Sequence, residues 1–430
     1  MSFQVVFSVV MLFFVLVGIH EFGHFIFAKR AGILVREFAI GFGPLIYSWR
    51  RNETTYTLRL LPIGGFVRMA GEEPERNQLE VGMHSRLTIT DDHVIRIEPL
   101  QDENETTSYV LSPNQKIGTI DSFDLEEKLW IRLTSSNDLT VSEYQVSPQA
   151  MIGKPGTWWQ IAPNNRLFNN KSIWQRFLTI FAGPLMNGIL AFVLFMLFVF
   201  LSGMPTESAH IKIGDIDPGT QAELAGLQKG DEVLTINGVS PGDDWVKLSD
   251  WIGASADKPM NWIVDRNGEK IALVITPKMR EYNGQKRIMV GVRPHRRNAT
   301  LGESIQGGWL MMSFFTENIL EGFKKLFTGN VKLDELGGPV KTVNVTAQFA
   351  AKGFDSLVYW AGILSLYLGL FNLLPIPALD GSRIVFLFIE AIRGRPVPPN
   401  RESMVHLIGF AMMMAFMVVI TFNDISMLFR

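Results

Sequence analysis

Cysteine is absent from all 430 residues, and charge is scarce: only 19% of the chain is Asp, Glu, Lys or Arg. Without thiols there is no disulfide framework, no thiolate nucleophile and no cysteine-ligated zinc or iron–sulfur site, so any metal must rest on His, Asp or Glu. The 40 basic and 42 acidic residues nearly cancel, to −2, which removes bulk electrostatic attraction to nucleic acid. No nucleic-acid partner is expected. With 47% hydrophobic residues and a mean hydropathy of +0.16, too little charge remains to cover an ordinary soluble surface, and the lipid bilayer is the expected surrounding.

Uncharged apolar runs near the ~20 residues needed to span a bilayer occur four times: Ser2 to Ile19, Phe177 to Thr206, Leu357 to Leu379 and Leu407 to Asn423. The first lacks a basic start and an A-x-A-like cleavage site, so it reads as an anchor and not as a removable signal. Lys29, Arg30 and Arg36 follow it, Arg166, Lys171 and Arg176 precede the second run, and Arg383, Arg393, Arg395 and Arg401 lie between the third and fourth. Basic flanks mark the cytoplasmic side. The chain is therefore expected to start outside, cross four times and end outside. The inner ends of the first and third spans share one membrane face, which brings His20 to His24 and Asp380 to one depth.

From Ile33 to Met69 short strands alternate with glycines at Gly41, Gly43, Gly64 and Gly65, and Phe38, Phe42, Ile46, Tyr47, Trp49 and Phe66 make the segment unusually apolar. A hairpin dipping into the membrane and an amphipathic hairpin on its surface both fit. Glu72 to Asn165 is polar and reads as a small β-rich insert or a partly mobile excursion. Ala222 to Gly238, AELAGLQKGDEVLTING, has the helix, turn and strand of a PDZ core signature within roughly His210 to Pro294. Such a domain binds extended peptides at a sheet edge, or serves as a rigid size filter. Leu310 to Leu326 has the spacing of an amphipathic helix at the outer interface, with Glu317, Glu321, Lys324 and Lys325 interrupting it.

His20-Glu21-Phe22-Gly23-His24 is an H-E-x-x-H motif. On a helix, residues i and i+4 share one face, so both imidazoles can reach one zinc ion, and Glu21 can act as general base toward water at that site. In a transmembrane helix these groups are costly to bury unless paired or coordinated. A catalytic zinc usually has three protein ligands, and Asp380 is the best third, at the end of Asn372-Leu373-Leu374-Pro375-Ile376-Pro377-Ala378-Leu379-Asp380-Gly381. Pro375 and Pro377 break the helix there. Asn372 could donate to a substrate strand or hold the unwound backbone. Three functions remain open on the residues alone: a zinc protease, a membrane-embedded metal-binding or transport protein, and a non-catalytic PDZ scaffold with structural zinc.

Taken together, H-E-F-G-H, N-L-L-P-I-P-A-L-D-G, the A-G-P-x-M-N stretch at Ala182 to Asn187, the glycine-rich loop around Leu61 to Met69 and one PDZ signature occur in the order found in the site-2 protease family of intramembrane zinc metalloproteases, and the chain resembles that family over nearly its whole length. The resemblance implies one Zn2+ per chain on His20, His24 and Asp380, with Glu21 as catalytic base. It also implies that Asn372, with the Pro375 and Pro377 break, and Gly64 and Gly65 contact substrate. Ser382 and Tyr367 stand where the family usually has Gly and Asn. The substrates implied are single-pass membrane proteins such as anti-sigma factors or remnant signal peptides, cut in the plane of a bacterial plasma membrane with the active site toward the cytoplasm. The fold expected is a multi-pass α-helical membrane protein with four transmembrane helices, a membrane-associated β-hairpin and one extracytoplasmic PDZ domain of α+β type. Its parts are a first span to residue 30, a β-loop over 31–71, a cytoplasmic insert over 72–170, a second span over 174–206, the PDZ domain over 208–295, an interfacial segment over 301–356, and spans over 357–381 and 404–424.

Overall fold

A computed structural model of the chain describes residues 3–72, 79–100, 112–135, 140–154, 156, 158–206, 209–282, 285–329 and 337–428. Its elements run α1 (Phe3–Arg30), β1 (Val35–Arg51), β2 (Thr54–Met69), β3 (His84–Thr90), β4 (His93–Pro99), β5 (Gln115–Asp124), β6 (Trp130–Ser135), β7 (Val141–Ile152), β8 (Trp159–Gln160) and α2 (Ile173–Ser202). After these come β9 (Met204–Pro205), β10 (Ile211–Ile216), α3 (Gln221–Leu224), β11 (Glu232–Ile236), α4 (Trp245–Ala254), β12 (Met260–Arg266), β13 (Glu269–Ile275), β14 (Lys278–Tyr282), β15 (Gln285–Met289), β16 (Val292–Pro294) and β17 (Arg296–Arg297). The chain finishes with α5 (Leu301–Phe327), α6 (Pro339–Lys352), α7 (Phe354–Asn372), α8 (Asp380–Arg393) and α9 (Pro399–Leu428). Among the described residues four helices are long and apolar enough to cross a membrane: α1, α2, α7 and the stretch Arg401–Met427 of α9. The fourth is longer than its uncharged apolar run, because helix continues through the polar residues at both ends. The third ends at Asn372, and Asp380 opens a separate helix.

The chain divides into two compact units, the first made of residues 1–191, 319–347 and 363–430, the second of 192–318 and 348–362. In the first unit, α1 and α2 approach backbone to backbone. A Cβ on Gly23 would lie 2.7 Å from the Ala182 carbonyl carbon and 2.9 Å from Met186 Cγ. Small residues give this closeness where lipid provides no hydrophobic drive between helices.

β1 and β2 form more than a plain hairpin. Val35 to Ile40 stand opposite Met69 down to Gly65; Glu37 to Ile40 also stand opposite Thr55 to Leu58 with both numbers rising; Phe42 to Arg51 stand opposite Leu61 down to Thr54. Each strand is thus bent near its glycines into two legs, in the spatial order 42–51, 54–61, 35–40, 64–69. The leg 64–69 pairs on one side only among the described residues. Phe38, Val67 and Met69 pack with Ala28 of α1 and Ile180 of α2, and Phe25 stacks edge-on against Phe38 and Tyr56, with centroids 5.4 and 5.9 Å apart. The opposite leg leaves Leu45, Ile46 and Tyr47 more than half exposed.

The insert is a folded domain with its own core and not an excursion. Its sheet runs β4-β3-β5-β6-β7-β8, and an additional parallel pairing of β4 with β7 closes the first five strands into a barrel. Leu87, Val94, Ile97, Ile120, Ile131, Leu133 and Val146 fill it. Closure removes the open sheet edges that would invite aggregation. At the far end of the first unit, buried Asp424 on α9 accepts from the Gly338 and Lys341 amides at 3.3 and 2.9 Å, capping α6.

In the second unit an antiparallel sheet in the order β13-β12-β11-β10-β16 carries α3 and α4 around Trp262, Leu248, Ile213 and Val233, all fully buried. Asp244 caps α4 by accepting from the Val246 and Lys247 amides. The amphipathic stretch is a continuous 27-residue helix, α5, whose first part packs on α2: a Cβ on Gly308 would come 2.8 Å from the Met196 nitrogen, and Phe315 stacks on Phe195. Leu301, Trp309, Leu310, Phe314 and Phe327 of α5 stay more than half exposed, so much of its apolar surface is left uncovered.

The hairpin turn is tied down by Glu53, whose carboxylate takes both terminal nitrogens of Arg166, with Lys29 3.6 Å away. The hydrogen bonds from Arg166 hold its pKa at about 2, below the ordinary 4.5. Because the folded value is the lower one, the pair's contribution is complete above about pH 4.5 and disappears as pH falls toward 2. Glu53→Gln should cost about 1–2 kcal/mol near neutrality. Parallel unfolding of the two proteins should show a gap that closes with acid; a gap independent of pH would sink this account.

Candidate metal centre

One turn of α1 carries both histidines, and the i, i+4 spacing sets their rings edge to face with centroids 4.8 Å apart. Their Nε2 atoms are 3.2 Å from each other. Asp380 arrives from the first turn of α8, its Oδ2 3.2 Å from His20 Nε2 and 3.4 Å from His24 Nε2. His20 and His24 are buried, each 8% exposed. Zinc holds nitrogen and oxygen ligands at ~2.0–2.1 Å in a tetrahedron, whose edges are then about 3.3–3.4 Å. The three ligand atoms stand at that spacing. Asp380 Oδ2 is buried and makes no hydrogen bond, as a ligand atom reserved for a cation would be, so the residues present fit zinc.

The outward-facing ring nitrogens are also held. His24 Nδ1 lies 2.9 Å from the Thr179 carbonyl oxygen, to which it donates, leaving the Nε2 lone pair aimed at the site. His20 Nδ1 lies 3.2 Å from Asn187 Nδ2, while Asn187 Oδ1 is buried without a partner. A half-turn of that amide satisfies both groups, Oδ1 accepting the Nδ1 proton of the ligand tautomer. Asn187 is itself fully buried, and its backbone carbonyl accepts from Ser365 Oγ at 2.8 Å. Gly183 makes the approach possible, since a Cβ there would run into both imidazole rings. Both residues lie in the A-G-P-x-M-N stretch noted in the sequence, but nothing in that stretch by itself says what they touch.

α8 is fixed to α2 by a buried fork in which Arg176 donates to both Glu390 oxygens, at 3.0 and 2.5 Å. Ser382 is buried and donates to the Leu379 carbonyl at 2.7 Å, so the first turn of α8 accommodates this side chain. Tyr367 stacks on Phe371, centroids 5.8 Å apart.

The three ligand residues, Glu21, Asn372, Gly64 and Gly65 all line one cavity of about 1500 Å3 in the first unit. It exceeds the ~300–1,000 Å3 usual for a small molecule. Its walls include the leg 64–69, Arg383 of α8, and Glu126, Trp159 and Gln160 of the insert. Gly65 sits so close to α1 that a Cβ would lie 2.8 Å from Glu21 Cγ and 2.7 Å from the Ala39 oxygen. Arg383 pairs with Glu72 at this wall. Pro375 and Pro377 do not line the cavity among the described residues; Pro375 is exposed, and Pro377 packs against Gly409 of α9.

A His-His-Asp centre with both histidines on a helix apolar enough to cross a membrane, the Asp at the start of a separate helix and a glutamate beside them in a chain-sized cavity, defines a membrane-embedded zinc metallopeptidase. Residues 8–416 match the family described as "Peptidase family M50", and the chain belongs to that family. It is similar to "Zinc metalloprotease RasP" of Geobacillus kaustophilus, 39% identical over 428 residues that cover 100% of this chain and 99% of the relative. The "Probable protease eep" of Enterococcus faecalis is 39% identical over 99% of this chain and 100% of its own. "Regulator of sigma-W protease RasP" of Bacillus subtilis is 38% identical over the full length of both. Among solved structures, a PDZ domain from Listeria monocytogenes overlaps 21% of this chain and 93% of its own at 12% identity and a TM-score of 0.18. Family membership selects the zinc protease among the three functions the residues left open.

Asn187→Leu should lower zinc affinity about 10–100-fold, whereas Asn187→Asp, which keeps an acceptor for His20, should stay near wild type. Zinc content after a timed chelator challenge measures both; equal retention in the Leu form would show that Asn187 has no hold on the metal.

Proposed function

We propose that this protein is an intramembrane endopeptidase that hydrolyses transmembrane segments of single-pass proteins, with His20, His24 and Asp380 as zinc ligands and Glu21 as catalytic base. The observation that carries the reading is the convergence of the three ligand atoms at 3.2–3.4 Å in the cavity that Glu21 also lines. Zinc at that centre supplies Lewis acidity to the scissile carbonyl and raises the acidity of water. Glu21 takes a proton from the attacking water as the water oxygen bonds to the carbonyl carbon. It then returns the proton to the amine nitrogen as the C–N bond breaks.

A transmembrane helix hides its carbonyls in i to i−4 hydrogen bonds, so the substrate must unwind to be cut. The leg Gly64–Met69 provides the exchange: it lines the cavity and is paired on one side only among the described residues, so an extended substrate can add to it as a strand. Gly64 and Gly65 let the edge leg lie tight against Phe42 and α1 beside Glu21, so that a substrate strand added to it passes close to that carboxylate, and Asn372, which also lines the cavity, offers an amide to it. Pro375 and Pro377 act through the shape of the ligand loop and not by contact. The exposed apolar residues of the leg 42–51 rest in lipid, which favours the membrane-dipping reading of the hairpin.

The basic flanks put the metal centre toward the cytoplasm and the PDZ-like sheet of Ile211–Pro294 outside, where it would bind a peptide or exclude an untrimmed ectodomain. The name of the Bacillus subtilis relative, a regulator of sigma-W protease, supports anti-sigma-factor-like substrates, alongside remnant signal peptides.

Cleavage of a single-pass substrate with a truncated ectodomain, in membranes carrying equal amounts of each form, tests the reading. Glu21→Gln should retain zinc and lose about 10²–10⁴ in turnover; zinc retained with undiminished cleavage would remove Glu21 from the chemistry. Gly65→Val should push the edge leg off α1 and lose cleavage with zinc still bound, and wild-type cleavage by that variant would exclude strand addition at this edge.

A further inference from the structure

We infer that His406, on α9, is a positioning residue that holds the turn between α7 and α8 and thereby sets the Asp380 carboxylate against the two histidines. The inference rests on the reading of Asp380 as a metal ligand. It begins from the amide protons of residues 373–379. Leu373 donates to the Leu370 oxygen, Leu374 to Phe371, Ile376 to Leu374 and Leu379 to Ile376, at 2.7 to 3.2 Å. Pro375 and Pro377 have no amide proton. Only Ala378 sends its N–H out of the turn, to His406 Nδ1 at 3.1 Å. That same residue has φ +78°, a left-handed conformation that an alanine holds only where its surroundings impose it. Asp380 follows two residues later.

The contacts from α9 form a clamp along one helix face. His406 and Gly409 are three residues apart and so adjacent on it. At Gly409 the helix touches the turn directly: a Cβ would come within 3.0 Å of the Pro377 Cα and carbonyl carbon. The His406 ring is held in place, with Phe386 edge-on at 5.7 Å. Because Nδ1 accepts, the proton sits on Nε2, which lies 3.7 Å from Glu402 Oε1. Farther along the same face Met413 and Met417 line the catalytic cavity. α9 is also the span with the least support from the rest of the protein, 11% of its apolar window being buried against 22%, 22% and 33% for the other three. A segment pressing on Met413 and Met417 therefore moves a weakly anchored helix whose other contacts grip the ligand turn, and substrate occupancy is felt at Asp380.

The test uses the full-length protein in detergent with its zinc loaded. His406→Leu removes the acceptor; His406→Asn restores an oxygen at about the position of Nδ1. The Leu form should lose zinc to a chelator about tenfold faster and turn over about tenfold more slowly, with KM for the truncated single-pass substrate unchanged, and the Asn form should recover most of both losses. Wild-type zinc loss and kcat in the Leu form would overturn the assignment. So would equal impairment of the Leu and Asn forms, which would mark His406 as packing only. Asp380→Ala run beside them separates the two levels: full zinc retention there would remove the ligand reading and this inference with it, whereas zinc loss there with an unaffected His406→Leu would remove only the role of His406.

Discussion

Two imidazoles on a helix apolar enough to cross a bilayer and a carboxylate from a separate helix bring their ligand atoms within 3.4 Å of one another, and the rest of the first unit depends on how that crowding is sustained. Each group alone would be costly in so apolar a place. Together they fit a divalent cation, whose charge the carboxylate would partly balance. Zinc binding is therefore linked to folding here: whatever aligns the three side chains raises metal affinity, and the bound metal in turn stabilises the alignment.

Much of the surrounding structure is alignment of this kind. The Thr179 carbonyl and the Asn187 amide choose the tautomers of His24 and His20. The Arg176–Glu390 fork sets the direction of α8, and the turn before Asp380 satisfies nearly all its amides internally. Glycines at 23, 65 and 183 remove side chains where helix, strand and imidazole must meet. These contacts are rigid at the inner side of the cavity. The other walls of the cavity are of another kind, a strand edge paired on one side only among the described residues and a sparsely packed helix.

The folded-over hairpin links the two. Its inner legs are fastened to α1 by Phe25, Phe38 and Tyr56 and to Arg166 through Glu53, while its outer leg turns large apolar side chains outward. One short segment thus exposes apolar side chains on one side and turns to the cavity, on the other, an edge that is paired on one side only among the described residues. The barrel that follows adds Glu126, Trp159 and Gln160 to the cavity wall, so the insert has a structural part in the site that its composition did not suggest.

What the sequence determined by itself was local. The apolar runs and the i, i+4 placement of His20 and His24 follow from lengths and periods that need no partner. Tertiary structure decided everything that depends on contacts between distant residues. Pairing β4 with β7 closes a barrel because two strands some fifty residues apart meet in parallel. Residues 54–61 insert between two legs that are neighbours of other segments in the chain. Asn187, Gly183 and His406 acquire meaning only beside rings and backbone that lie far from them in sequence. Hydrophobic periodicity places a residue on a face or at a depth; it does not say which amide a buried polar atom will find. That is settled by packing, because a buried donor or acceptor without its partner is too costly to keep.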